Sequence, residues 1–104
     1  MDGFVFVAIR DDRILGFASL IEGGPGHMEL DGLFVEPGHW RQGIGRALAT
    51  HAISHCTRLG AEALNVVANT HALDFYASMG FEVERKVELE FGSALAMRLI
   101  LKRS

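Results

Sequence analysis

Apolar residues recur along this chain with two periods. From Phe4 to Ile9 they are nearly continuous and rich in aromatic and β-branched side chains, which predicts a strand. Asp11-Asp12-Arg13 reads as a turn, and Ile14 to Ile21 as a second strand interrupted by Gly16. The two form a hairpin. Gly23-Gly24-Pro25-Gly26 is a turn. Met28 to Val35 is a third strand, with Glu29 and Asp31 on one face. Gly32 inside it signals a bulge or a close approach. The period then changes. Ile44, Leu48, Ala52, Cys56 and Leu59 fall at helical spacing, so a helix runs from Gly43 to about Leu59 and Gly60 caps it.

Ala63 to Ala68 is a strand again, able to run parallel to the third through a right-handed crossover. Asn69 or Thr70 caps a second helix carrying Ala72, Phe75, Tyr76 and Met79 on one face, and Gly80 ends it. From Phe81 to Phe91 alternation puts Phe81, Val83, Val87, Leu89 and Phe91 inward, with Glu82, Glu84, Lys86, Glu88 and Glu90 outward; Arg85 breaks the inner row. Gly92-Ser93 turns the chain into a last strand, Leu95 to Leu101, before the solvated end Lys102-Arg103-Ser104. The order predicts an α/β (α+β) fold: one mixed, mostly antiparallel sheet of about six strands with two helices.

A length of 104 residues, 49% apolar, fits one small domain over residues 1–104 with a single core. The net charge of −3 argues against a nucleic-acid partner. Cys56 is the only cysteine, which excludes an internal disulfide and suits a reducing, cytoplasmic setting. Met1-Asp2-Gly3 is not a basic leader, and the apolar run that follows is too short to cross a bilayer, so neither a signal peptide nor a membrane partner is expected.

The segment from Leu33 to Leu48 carries the clearest chemistry. Pro37 stops the strand, because it has no N–H for the ladder. Gly43 and Gly45 let something bulky approach the backbone, and the helix beginning there offers unpaired N–H groups and the positive end of its dipole. Arg41 and Arg46 add charge, so the segment reads as a pyrophosphate cradle made mainly of backbone. It is not a P-loop, since Arg46-Ala47 follows Gly45 where Lys-Ser/Thr is needed. It is not a dinucleotide fingerprint either, since Leu48 stands where the third glycine belongs.

Val35-Glu36-Pro37 followed by Trp40-Arg41-Gln42-Gly43-Ile44-Gly45 resembles the acyl-CoA loop of the GCN5-related N-acetyltransferases, Gln/Arg-x-x-Gly-x-Gly/Ala after a strand ending in Val-x-Pro. Trp40 departs from the Gln/Arg position. The stretch Asn69 to Phe81 is similar to that family's Asn-x-x-Ala-x-x-Phe-Tyr-x-x-x-Gly-Phe, and the order of elements matches the family's core from its second strand onward. The sequence starts at what looks like the family's second strand, so the expectation is either a piece of a longer protein or a minimal version without the usual first strand and the one or two helices that wall the acceptor site.

The resemblance implies the acyl-CoA N-acyltransferase fold and direct transfer of acetyl from acetyl-CoA to a primary amine, on a small molecule or a protein. It implies a third strand and a post-helix strand that splay apart around the pantetheine. Leu33, Phe34 and Val35 are then strand contacts, and Arg41, Gln42, Gly43, Ile44, Gly45, Arg46 and Ala47 hold the pyrophosphate, with Asn69 and Phe75 nearby. By spacing alone Tyr76 reads as a core aromatic, but the resemblance sets it where the family's proton donor to the thiolate stands. Glu29 is the candidate general base, with Asp31 a weaker one; either is otherwise a strand carboxylate. Asn69 doubles as a helix cap.

His51 and His55 share a helix face without a third ligand at metal spacing, so no metal is assigned. A non-catalytic acyl-CoA-binding module is the alternative to an enzyme. Since Phe4 to Ile9 is apolar on both faces and no helix is left to cover it, a homodimer burying the N-terminal hairpin is expected.

Overall fold

The structure is a computed structural model describing residues 3–102. Three antiparallel strands come first: β1 (Gly3–Arg10), β2 (Arg13–Glu22) and β3 (His27–Val35). Asp11 and Asp12 have φ of 51° and 62°, the left-handed pair that a two-residue hairpin turn requires. A 3-10 turn at Pro37–His39 leads to α1 (Ile44–Arg58), followed by β4 (Ala63–Asn69). A second 3-10 turn (Thr70–Ala72) runs into the short α2 (Leu73–Ser78), and β5 (Glu82–Leu89) and β6 (Gly92–Ile100) close the chain. The sheet order is β1-β2-β3-β4-β6-β5, with β3 and β4 the parallel pair. The six strands and two helices match the reading of the sequence.

One face of the sheet carries the core. Leu20, Leu30, Leu64, Val66 and Met97 meet Leu48, Ala52 and Cys56 of α1, with Tyr76 and Phe81 in the same cluster. At the start of β3, residues of even number face this core. Further on, Leu33 and Val35 do so. The change of phase is a bulge: Leu20 stands opposite Leu30 and Ser19 opposite Gly32, so Asp31 is the extra residue.

Two expectations are corrected. Phe4 and Phe6 are covered: α1 packs on β1, with Phe4 edge-on to His55 at 4.4 Å and Phe6 edge-on to His51 at 4.6 Å. The i, i+4 histidines therefore sit on aromatic rings, and no cluster of three metal-ligating side chains occurs among the described residues. The second correction concerns β5. Val83, Leu89 and Phe91 are exposed, Phe91 at 94%. Alternation sorts side chains between two faces but does not supply a cover. Here β5 is an edge strand whose one sheet neighbour is β6, and a bulge at Glu84 breaks its phase.

Candidate active site

The parallel β3–β4 ladder is short. It runs from His27 opposite Ala63 to Leu30 opposite Val66 and goes no further, although both strands continue. Beyond that point the two strands part. The Asp31 bulge begins where the pairing ends, so the gap opens at a place the sequence marks with Gly32.

The gap leads toward the N-terminus of α1. Gly43 is its N-cap at φ 81°, a conformation few side-chain-bearing residues adopt. No side chain caps this end and no acidic residue lies in its first turn. Most helices satisfy these donors with Ser, Thr, Asp or Asn. Arg41, at φ 64°, also takes a left-handed conformation. An uncapped, positively polarised helix end between two arginines has the donor set for an anion.

A cavity of about 290 Å³ lies against this end, lined by Val35, His39, Trp40, Arg41, Gly43, Gly45, Arg46 and Phe75. A Cβ on Gly45 would stand 3.5 Å from Val35 Cγ2 and 3.9 Å from Phe75 Cζ, ordinary contact distances. Gly45 is therefore not demanded by internal packing, and its bare surface is available to a ligand. The residues fit a pyrophosphate with an attached chain. Arg46 is held in place by donating through Nη2 to Ser78 Oγ at 2.7 Å, and Ser78 Oγ in turn donates to the Phe75 carbonyl.

The structure brings Val35, Arg41, Gly43, Gly45, Arg46 and Phe75 together and disperses other candidates. Phe34 faces away from the helices and stacks on Phe17 at 5.8 Å. Ile44 is core, and with Ala47 it lines a separate apolar cleft beside β1. The Gln42 carboxamide accepts from Arg10 at 3.2 Å. Leu33 packs partly against the core. Asn69 accepts from the Ala72 N–H at 3.0 Å and so caps the turn before α2.

Tyr76 is 6% exposed, wedged edge-on between Phe75 and Phe81 at 5.0 and 5.4 Å. Burial pushes its phenol up from the ordinary tyrosine value. Glu29 is half-buried on the opposite face of the sheet, beside Asn65 and one pair before the ladder ends. Trp40, which stands at the Gln/Arg position of the loop pattern, lines the cavity, and so does His39, which nothing in the sequence marks.

Residues 1–81 match the family model described as the acetyltransferase (GNAT) family. The chain belongs to the GNAT family. It is 37% identical over 87 residues to the peptidyl-lysine N-acetyltransferase YjaB of Salmonella typhimurium, a match covering 83% of this chain and 55% of that protein. The chain thus spans little more than half the length of this relative.

Solved GNAT-like structures superpose on nearly all of it. The IAA acetyltransferase from Bacillus cereus gives a TM-score of 0.91 at 21% identity, over 96% of this chain and 79% of that one. An aminoglycoside 6'-N-acetyltransferase complexed with coenzyme A gives 0.89 at 16% identity, over 99% and 75%. At these identities the likeness is one of fold. No helix among the described residues is long and apolar enough to cross a membrane.

Proposed function

We propose that this GNAT chain is an acetyl-CoA-dependent N-acetyltransferase that moves acetyl to a primary amine by direct attack on the thioester. One observation carries the reading: the β3–β4 gap, opening at Leu30 and Val66, leads to an uncapped α1 N-terminus whose Gly45 is bare. The backbone from Arg41 to Arg46 holds the pyrophosphate, the Ala47 N–H being taken by the Gly43 carbonyl at 2.9 Å, and Leu33 and Val35 present strand backbone to the pantetheine. Acetyl-CoA supplies the activated acyl group.

The chain supplies proton handling. Glu29 takes a proton from the acceptor's ammonium, directly or through water, so that the neutral amine attacks the thioester carbonyl; as the C–S bond breaks, Tyr76 protonates the leaving thiolate. A backbone N–H on β3 steadies the oxyanion. The buried, reduced Cys56 fits a cytoplasmic setting.

The same reading includes a homodimer. Val5, Val7, Phe17 and Phe34 form an exposed apolar area on the sheet face away from the helices. Burying it against a second copy would cover it and wall the acceptor side.

A thiol-release assay against a panel of amines tests the enzyme. Acetyl-CoA binding together with amine-dependent release of coenzyme A is expected. Binding without release for every amine would make the chain a binding module instead.

A further inference from the structure

Directly opposed residues on neighbouring strands share a face. The register therefore sets Glu29, Asn65 and Arg98 in one row across β3, β4 and β6, away from the helices. A bulge adds to this row from β5. Val83 stands opposite Met97 and Arg85 opposite Ala96, so Glu84 is the extra residue. Ala96 and Arg98 lie two apart on one strand and share a face. The bulge thus swings Arg85 out of the inward row that strict alternation assigns it and onto the face of Glu29. Bulges re-aim side chains in this way and recur beside active sites.

The result is a cavity of about 370 Å³ whose polar lining is Glu29, Asn65, Glu84, Arg85 and Arg98. Two of its four charges are already matched. Arg98 donates through Nη1 to Glu84 Oε1 at 2.9 Å and through Nε to Asn65 Oδ1 at 2.8 Å. Since a guanidinium only donates, the Asn65 oxygen must face it. The Asn65 NH₂ then points at His27 Nδ1, 3.0 Å away, which accepts. This chain of contacts runs across four strands and fixes Arg98 and Glu84 on each other. Glu29 and Arg85 remain, opposite in sign, and among the described residues neither is in an ion pair.

The geometry points to a two-point acceptor site: Glu29 takes the amine, and Arg85 takes a carboxylate on the same molecule. The acceptor class is a primary amine that also carries an acid, either an ω-amino acid or a lysine beside an acidic side chain in a peptide. A planar guanidinium suits a carboxylate, which it can grip with two parallel N–H donors. The same residue disfavours polyamines, whose second cation would meet Arg85. The inference rests on the acetyltransferase reading only in treating the bound amine as the acceptor.

Titration followed by NMR, without acetyl-CoA, tests it using ω-amino acids from β-alanine to ε-aminocaproate and the corresponding primary amides. The best-fitting acid should bind roughly tenfold more tightly than its amide, the range expected for a hydrogen bond to a charged group. Arg85→Ala should abolish that ratio, Arg85→Lys should keep part of it, and Glu29→Gln should weaken acid and amide alike. A second arm uses lysine peptides with Glu or Gln next to the lysine, and a preference in one arm alone identifies the source of the acid. Equal binding of acid and amide by the wild type, no binding of either, or a preference that survives Arg85→Ala would each overturn the proposal. Calorimetry with acetyl-CoA on the same proteins keeps the readings separate, because failure to bind it sinks the acetyltransferase and leaves the acid-to-amide ratio standing.

Discussion

The indole N–H of Trp40 donates to the carbonyl of Val35 at 2.8 Å. This contact ties the loop before α1 back to the end of β3 and closes one side of the cavity at the helix terminus. It gives Trp40 a job on the loop, where the family pattern has a glutamine or arginine. Trp40→Phe keeps the ring and removes the donor. A loss of about 0.5–1.5 kcal/mol in stability is expected, together with several-fold weaker acetyl-CoA binding. Thermal melting and calorimetry measure the two. If affinity does not change, the loop does not depend on this tether.

Gly45 separates the demands of fold and ligand. A methyl fits there and improves helix propensity, so Gly45→Ala should raise stability by up to about 1 kcal/mol while leaving acetyl-CoA affinity nearly intact. Gly45→Val extends into the cavity and should sharply reduce affinity. Gly43 is a poorer probe, because at φ 81° any side chain strains the backbone whether or not a ligand is present. If Gly45→Val is folded and binds acetyl-CoA like the wild type, the cradle is elsewhere.

Periodicity made the elements legible, since strands and helices impose different spacings on apolar residues. It did not say which faces would be covered. Phe4 and Phe6 lie under His55 and His51 because α1 crosses back over β1, a fact of topology. Val83 and Phe91 alternate correctly and still face water. Gly32 did mark the β3 bulge, and Arg85, out of step with its row, was the visible sign of the one in β5. The chain from His27 through Asn65 to Arg98 and Glu84 was not legible, because it joins residues far apart in sequence through strand register alone.

Tyr76→Phe tests the proton donor. Turnover should fall by ~10²–10⁴-fold, the usual worth of general acid catalysis, with acetyl-CoA affinity nearly unchanged because the ring and its packing remain. The buried phenol also links folding to pH. Its pKa is raised in the fold, so its contribution is complete below the ordinary tyrosine value of about 10 and is lost as pH rises through the folded pKa. Stability of the wild type should therefore drop on the alkaline side, and Tyr76→Phe should flatten that limb. Cys56, also raised by burial, produces an earlier part of the decline that persists in the variant. A wild-type turnover rate in Tyr76→Phe would return the residue to the core aromatics.

Glu29→Gln should reduce turnover most at lower pH, where the amine is mostly protonated and a base is needed to free it. At higher pH, with the amine already neutral, the variant should approach the wild type. The full pH–rate profile is the measurement. A profile unchanged in shape and height would make Glu29 a strand carboxylate with no part in proton transfer.

The sheet face away from the helices has two halves. One is polar and holds Glu29, Asn65, Arg85 and Arg98; the other presents Val5, Val7, Phe17 and Phe34 to solvent, Val5 at 66% exposure. Only the second gains by leaving water, at roughly 25 cal/mol for each Å² of apolar surface. A stable pairing should bury at least ~1,000 Å² in total. Light scattering at tens of micromolar should thus report a dimer, and Val7→Lys should dissociate it without disturbing the packing of α1 on the other face of β1. Phe6→Ala, by contrast, removes a ring that touches His51 and His55, and should lower thermal stability in whichever state the protein occupies. A wild-type monomer, or a dimer unaffected by Val7→Lys, would show that a second copy does not cover the apolar half.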